Sequence, residues 1–303
     1  MPENALDSRT GSGSGIGTGS GTGSGSDSVP VRHRPSQIGP MAVWGSIALL
    51  ALLTVAPLLY MVSTAFKQAK DVYSPGLVPT APTLDNFRYI FSEIPILRYL
   101  FNSFLVSAVV TVLSLLFHSM AGYALARLKF RGRDTIFSAI YATLLISLPL
   151  IMVPLFLVAK TLGILDSYLG MILPAVFNAF GIFFLRQFYL SFPDDVEEAA
   201  RIDGCGYWRI YWQVILPMSR PLLTALAVFF FLGTWNSFLW PLTIVQNADL
   251  IPVQVGISNF QGQFSAAWNY SMAASTVAAL PTLILFFVFQ KQFTETIKTS
   301  GGR

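Results

Sequence analysis

Two groups of residues have types and spacings that can do chemistry. The first lies in a polar segment, 187–220. There Asp194, Asp195, Glu197 and Glu198 follow Pro193, and Ala199, Ala200, Gly204 and Gly206 come after them. Carboxylates crowded at the start of a helix are favoured by its macrodipole. Small residues behind them let another backbone approach closely, so such a helix suits a groove on a partner. Glu198 would then offer its carboxylate to a donor across the interface. The other reading of the pattern is an amphipathic helix that anchors the segment at a membrane surface. The second group is spread through apolar stretches: Asn102, Asn178, Trp235, Asn236, Trp240 and Gln246. Polar side chains at membrane depth either bond between helices or line the way of a polar solute.

Other chemistry is missing from the pattern. His33 and His118 are the only histidines and Cys205 the only cysteine, so no cluster has metal-ligand spacing and no internal disulfide can form. No nucleophile–base arrangement is visible, so no catalytic residue is assigned. Cys205 has no resolving cysteine, which leaves a redox role without support. His118 falls in an apolar stretch without Asp or Glu, which suits a hydrogen-bonded structural histidine better than a proton relay. The same lack of intramembrane carboxylates argues against proton-coupled transport. The Gly-rich run at 11–25 is no phosphate loop, because its glycines fall only at odd positions and no Lys follows.

The elements that must position these residues follow from composition. The chain is 53% hydrophobic and 11% charged, against about 25% charged for soluble domains. Six long stretches are almost free of charge: 41–65, 100–122, 137–158, 169–185, 222–245 and 271–289. A spanning helix needs about 20 mostly apolar residues, so these predict an all-α membrane protein with about six transmembrane helices. Prolines inside them (Pro57, Pro149, Pro154, Pro174, Pro281) are tolerated where neighbours re-satisfy the freed carbonyls. Residues 1–35 read as a disordered Gly/Ser-rich tail, 36–295 as the transmembrane domain and 296–303 as a C-terminal tail. The first apolar run begins too far in, and is too long, for a signal peptide.

Lys and Arg bias orients the chain. With the N-terminus inside, one side holds Arg32, Arg34, Arg127, Lys129, Arg131, Arg133, Arg186, Arg201, Arg209, Arg220 and Lys291. The other holds Lys67, Lys70, Arg88, Arg98 and Lys160. Both termini and the 187–220 loop are therefore expected in the cytoplasm. The loop reads as a short helix, a Gly turn and a second helix. Val196, Ala199 and Ala200 share a face in the first helix. Tyr207, Ile210, Tyr211 and Val214 share one in the second, which Pro217 ends. External loop 66–99 should have modest structure, and part of 246–270 is expected to be re-entrant or membrane-associated.

The loop carries a family resemblance. Glu198-Ala199-Ala200, three residues, Gly204, nine residues, then Val214-Ile215-Leu216-Pro217 resembles the EAA loop of ATP-binding-cassette (ABC) importer permeases, with Val214 where Ile is usual. The runs AGYALARLKFRG at 121–132 and FFLRQF at 183–188, and Trp235-Asn236, are similar to the carbohydrate branch, in particular the smaller six-helix permease of maltose-like importers.

The resemblance implies a type I permease bundle whose loop is a coupling helix, docked in a cleft of a separate ATPase. Glu198, Ala199, Ala200, Asp203 and Gly204 are its coupling positions. ATP binding would close the ATPase dimer and switch the permease pair between inward- and outward-facing forms. The implied partners are a second homologous permease, the ATPase dimer, an external solute-binding protein, lipid and a sugar, with no nucleic acid. No cofactor is expected in this chain, since ATP and Mg belong to the ATPase, and the chain itself is no enzyme. Asn102, Asn178, Trp235 and Asn236 are the candidate sugar path. The implied location is a bacterial or archaeal cytoplasmic membrane. The alternatives are an importer permease for another small solute, or a stand-alone secondary transporter. The latter should show inverted repeats or intramembrane carboxylates, and it leaves the loop unexplained.

Overall fold

The computed structural model describes residues 38–263 and 267–300. The tail expected at 1–35 lies outside the described residues, as do 301–303 of the expected C-terminal tail. All regular structure among the described residues is helical. The chain divides into two compact units, Met1–Ala51 and Leu52–Arg303. Of the first unit, the described part is the opening half of helix α1 (Ile38–Ala65). Trp44, Leu49 and Leu50 are among the exposed side chains there. A helix apolar all round suits lipid.

The second unit continues with α2 (Asp85–Ser92), α3 (Ile96–Arg127), α4 (Arg133–Ala142), α5 (Leu148–Thr161), α6 (Tyr168–Val176) and α7 (Ala179–Leu190). The polar loop holds α8 (Asp194–Ile202) and α9 (Tyr207–Ile210), then a π-helical turn, Tyr211–Ile215, and α10 (Leu216–Met218). After it come α11 (Arg220–Trp235), α12 (Leu239–Ile244), α13 (Val253–Gln263) and α14 (Trp268–Ser300).

Among the described residues, four helical stretches are long and apolar enough to cross a membrane: Ala42–Ala65, Ile96–Arg127, Tyr168–Leu190 and Trp268–Gln290. Two further candidates are sharply bent pairs, so the six expected spans are not six straight helices. Arg133–Leu145 meets Leu148–Thr161 at 108°, and Tyr207–Met218 meets Arg220–Trp235 at 76°. Proline supplies the reason. Pro149 occupies the first turn of α5, after an extended Ser147, and Pro221 does the same for α11. A proline without an N–H starts a helix readily but does not continue one. The stretch 222–245 is also interrupted, at 236–238, and residues 296–300 are helical rather than a tail.

Helix α3 is the axis of the second unit. It buries small and hydroxylic residues, Ser103, Ser107, Ser114, Ser119 and Gly122, which allow close helix contact where lipid gives no hydrophobic drive. A Cβ on Gly122 would stand 2.9 Å from Leu185 Cβ and 3.1 Å from the Arg186 nitrogen, so α7 lies directly on α3. At the end opposite the polar loop, Asn86 donates to the carbonyls of Ala65 and Lys67 (both 2.8 Å) and accepts from Asn269 (2.7 Å). This ties the end of α1 to the start of α14. In the 246–270 stretch a short 3-10 turn is followed by α13. The latter buries Val253, Val255 and Ile257 against the body.

Candidate functional site

Helix α8 projects from what we term the loop face. Its carboxylates sit in the first turn, where the macrodipole favours them. It ends in a Schellman motif: Cys205 N–H donates to the Ala200 carbonyl (3.0 Å) and Gly204 N–H to that of Arg201 (2.9 Å), with Gly204 at φ +78°. The left-handed turn is what glycine provides at low cost. Glu198, Ala199, Asp203 and Gly204 are exposed. Ala200 is half-buried against the hydrophobic cluster that includes Tyr123, Leu185 and Tyr189. Ala199 and Ala200 thus do not share a face, because 100° of rotation separates consecutive residues.

The second leg also departs from the expected pattern. Ile210, Tyr211 and Ile215 are buried, while Tyr207 is exposed. The π turn takes in an extra residue, moving the buried position from Val214 to Ile215. Pro217 sits inside α10 and does not end the leg. The chain turns at Ser219, whose hydroxyl donates to the Ile215 carbonyl at 2.6 Å.

The four path candidates separate. Asn102, almost fully buried, donates to the carbonyls of Asp249 (2.9 Å) and Ile251 (3.0 Å) and accepts from Tyr168 Oη (2.7 Å). Every one of these bonds fastens α3 to another part of the fold. Trp235 is buried too, its indole N–H donating to the Ala278 carbonyl at 3.3 Å and joining α11 to α14. Asn178 lines a cavity of about 400 Å³ with Ser103, Thr234 and Ser237 among aromatic rings. Its amide donates to Ala175, and its buried Oδ1 has no partner. Asn236 lines a second cavity, of about 490 Å³, with Gln254, Ser258, Ser275 and Thr282. It accepts from Gln254 Nε2 at 3.3 Å. Neither cavity is lined by an ionisable side chain.

Three remaining residues have structural settings. Trp240 is buried and donates to the Gly170 carbonyl at 2.9 Å. The backbone N–H of Gln246 donates to Asp166 Oδ1 at 2.9 Å. His118 is buried in a structural setting, its ring held by Phe230, edge-on at 5.3 Å, and by Gly181.

Residues 118–299 match the family described as the binding-protein-dependent transport system inner membrane component. The stretch contains the loop and most of both cavity linings. The arabinooligosaccharides transport system permease protein AraQ of Halalkalibacterium halodurans is 36% identical over 259 residues, covering 84% of this chain and 93% of the relative. The chain belongs to this family of ABC importer permeases.

The permease is also similar to the diacetylchitobiose uptake system permease protein NgcG of Streptomyces coelicolor, 33% identical over 85% of this chain and 87% of the relative. A solved bacterial ABC transporter involved in import of the acidic polysaccharide alginate has a chain of the same fold. It superposes with a TM-score of 0.77 at 24% identity, covering 87% of the permease and 99% of that chain. The permease is an integral membrane protein of the expected all-α type I architecture.

Three features of this permease go beyond the spaced loop motif. Ile202 is 87% exposed at the tip of α8, an apolar residue facing outward beside Ala199 and Asp203. Glu197 points inward while its neighbour Glu198 points out. The partners of Asn236 (Gln254, Ser258, Ser275, Thr282) come from α13 and α14. Helical spacing carried a signal for the first two: Glu197, Ala200 and Arg201 fall on one side, Glu198, Ala199 and Ile202 on the other. No spacing rule links α11 to α13.

Proposed function

We propose that the permease forms, with a second homologous permease, the membrane path of an importer for an uncharged sugar or oligosaccharide. The observation that carries the reading is the cavity of Asn236, Gln254, Ser258, Ser275 and Thr282: amides and hydroxyls with no charge among them. Amides and hydroxyls both donate and accept, matching sugar hydroxyls group for group. A charged solute at membrane depth would need a partner of opposite charge. The arabinooligosaccharide and diacetylchitobiose relatives support the solute class.

In this reading ATP and Mg are bound by a separate ATPase dimer, which receives α8 in a cleft. Glu198 meets a donor there, Ala199 and Ala200 keep the approach close, Ile202 fills an apolar recess, and Asp203 and Gly204 set the turn. A solute-binding protein delivers sugar at the opposite face. In the same reading the loop face lies in the cytoplasm of a bacterial or archaeal cell, and the Lys/Arg bias supports that orientation.

The test is purification of the permease with its native partners, followed by reconstitution. An ATPase and a second permease should accompany the wild type, and Glu198→Ala should lose the ATPase. Neutral oligosaccharides presented on the binding protein should stimulate ATP hydrolysis more than oligouronates do. A wild-type chain that purifies alone and moves solute without ATP would end the proposal. Stimulation by oligouronates alone would end the uncharged-sugar part.

A further inference from the structure

Arg127, the last residue of α3, is buried at the loop face, its side chain 8% exposed. Its Nε donates to the Tyr189 carbonyl at 3.0 Å, and one terminal nitrogen donates to the Phe192 carbonyl. Those carbonyls lie at the C-terminal end of α7, where a cation is favoured by the dipole. The other terminal nitrogen pairs with Asp194, the first residue of α8. Nε also lies 3.4 Å from Glu197 Oε1. One guanidinium therefore touches the end of α7 and the first turn of α8 from the end of α3.

Glu197 is the inward counterpart of the coupling carboxylate, with its side chain 6% exposed. It lies between two guanidinium groups, Arg127 and Arg201, each 3.4 Å from one of its oxygens. Its Oε1 makes no hydrogen bond, because the Arg127 N–H facing it is aimed at Tyr189. A carboxylate buried this far depends on its ion pairs. Arg201 in turn lies over the Tyr207 ring at 4.9 Å, drawing the second leg of the loop against the first.

A reciprocal contact makes the far side of the joint stiff. Arg186 of α7 donates to the Leu125 carbonyl at the end of α3 (3.2 Å), pairs with Asp134 of α4 (3.3 Å) and stacks on Phe137 (3.9 Å). With Gly122 bringing α7 onto α3, the two helices form one body at the loop face. The second leg reaches α11 only through a π turn and a 76° bend, a less regular connection.

We infer that Arg127 and Glu197 are the joint through which movement of α8 reaches the membrane core. They are positioning residues that make α8 travel rigidly with α3 and α7. The inference rests on the proposed docking of α8 to an ATPase. Arg127 suits the task because its planar fork serves several acceptors at fixed angles, which a lysine cannot do.

The experiment compares Arg127→Lys and Glu197→Gln with wild type, in the full transporter reconstituted with its binding protein and an oligosaccharide that wild type transports. The readout is sugar moved per ATP hydrolysed. Both variants should still hydrolyse ATP, while the ratio falls about tenfold, the effect of losing one hydrogen bond to a charged group. A purely architectural role would lower yield and leave the ratio unchanged. A second measurement does not require the variants to fold. In a Cys205→Ser background, spin labels at Asp195→Cys on α8 and Phe117→Cys on α3 report their separation in a complex shown to transport. That separation should be the same without nucleotide and with ATP bound. A changed separation, or unchanged ratios in both variants, overturns the joint. A wild-type complex lacking any ATPase overturns the proposed function and the joint with it.

Discussion

Gly204 shows how much one residue decides at the tip of the loop. Its φ of +78° completes the Schellman turn that ends α8, and open space surrounds the position where a Cβ would stand. Gly204→Ala therefore clashes with nothing and should cost only the left-handed backbone, about 1–2 kcal/mol. Local unfolding of the tip should follow, read as faster hydrogen exchange at Gly204 and Cys205 with the global unfolding temperature little changed. Asn102 is the opposite case. Asn102→Ala removes the partner of two carbonyls and a half-buried tyrosine hydroxyl, a cost of about 1–3 kcal/mol for each group that water does not reach. Thermal unfolding in detergent should show a large loss of stability, and the surviving folded transporter should keep its sugar preference. A changed preference would return Asn102 to the path. The spaced loop motif made Gly204 and Glu198 legible in the sequence. The inward turn of Glu197 was readable only from the helical wheel, and the partners of Asn102 lie 147 and 149 residues away in the chain, beyond any local pattern.

At the scale of elements, apolar runs announced where helices lie but not where they bend. Pro149 marks a helix start inside the 137–158 run, and the hydropathy pattern reads straight through it. Helix α3 runs on into the 121–132 run as far as Arg127, because nothing before Leu128 breaks it. What the pattern did preserve is the seam between α3 and α7. Gly122 and Gly181 lie where the other helix presents Leu185 and His118. Gly122→Leu should force α7 off α3, since even a Cβ falls 2.9 Å from its neighbour, and overpacking of this kind costs typically 1–3 kcal/mol or more. Because the displaced segment includes Arg186, the damage should extend to the loop face. Limited proteolysis at 187–220 should become faster in Gly122→Leu than in a control at exposed Phe117. Equal rates would mean that the seam does not hold the loop.

For the whole molecule, the question is which polar groups at membrane depth are left over once the helices have satisfied one another. Asn102, Trp235 and Trp240 are fully committed to neighbouring backbone. Asn236 and Gln254 bond to each other across a cavity of about 490 Å³ that Ser258, Ser275 and Thr282 also line. An amide pair at the rim of such a space can exchange its mutual bond for bonds to a sugar hydroxyl at little net cost. Replacing both amides together removes the pair without stranding either partner, so folding should be preserved. The double variant Asn236→Leu with Gln254→Leu should purify with its partners and keep basal ATP hydrolysis. Transport should fall by roughly tenfold for each hydrogen bond to the sugar that is lost, and more steeply for sugars with more hydroxyls. Uniform loss across sugars of different hydroxyl number would place the selecting groups elsewhere, and the smaller cavity behind Asn178, with its unpartnered Oδ1, would then be the next surface to alter.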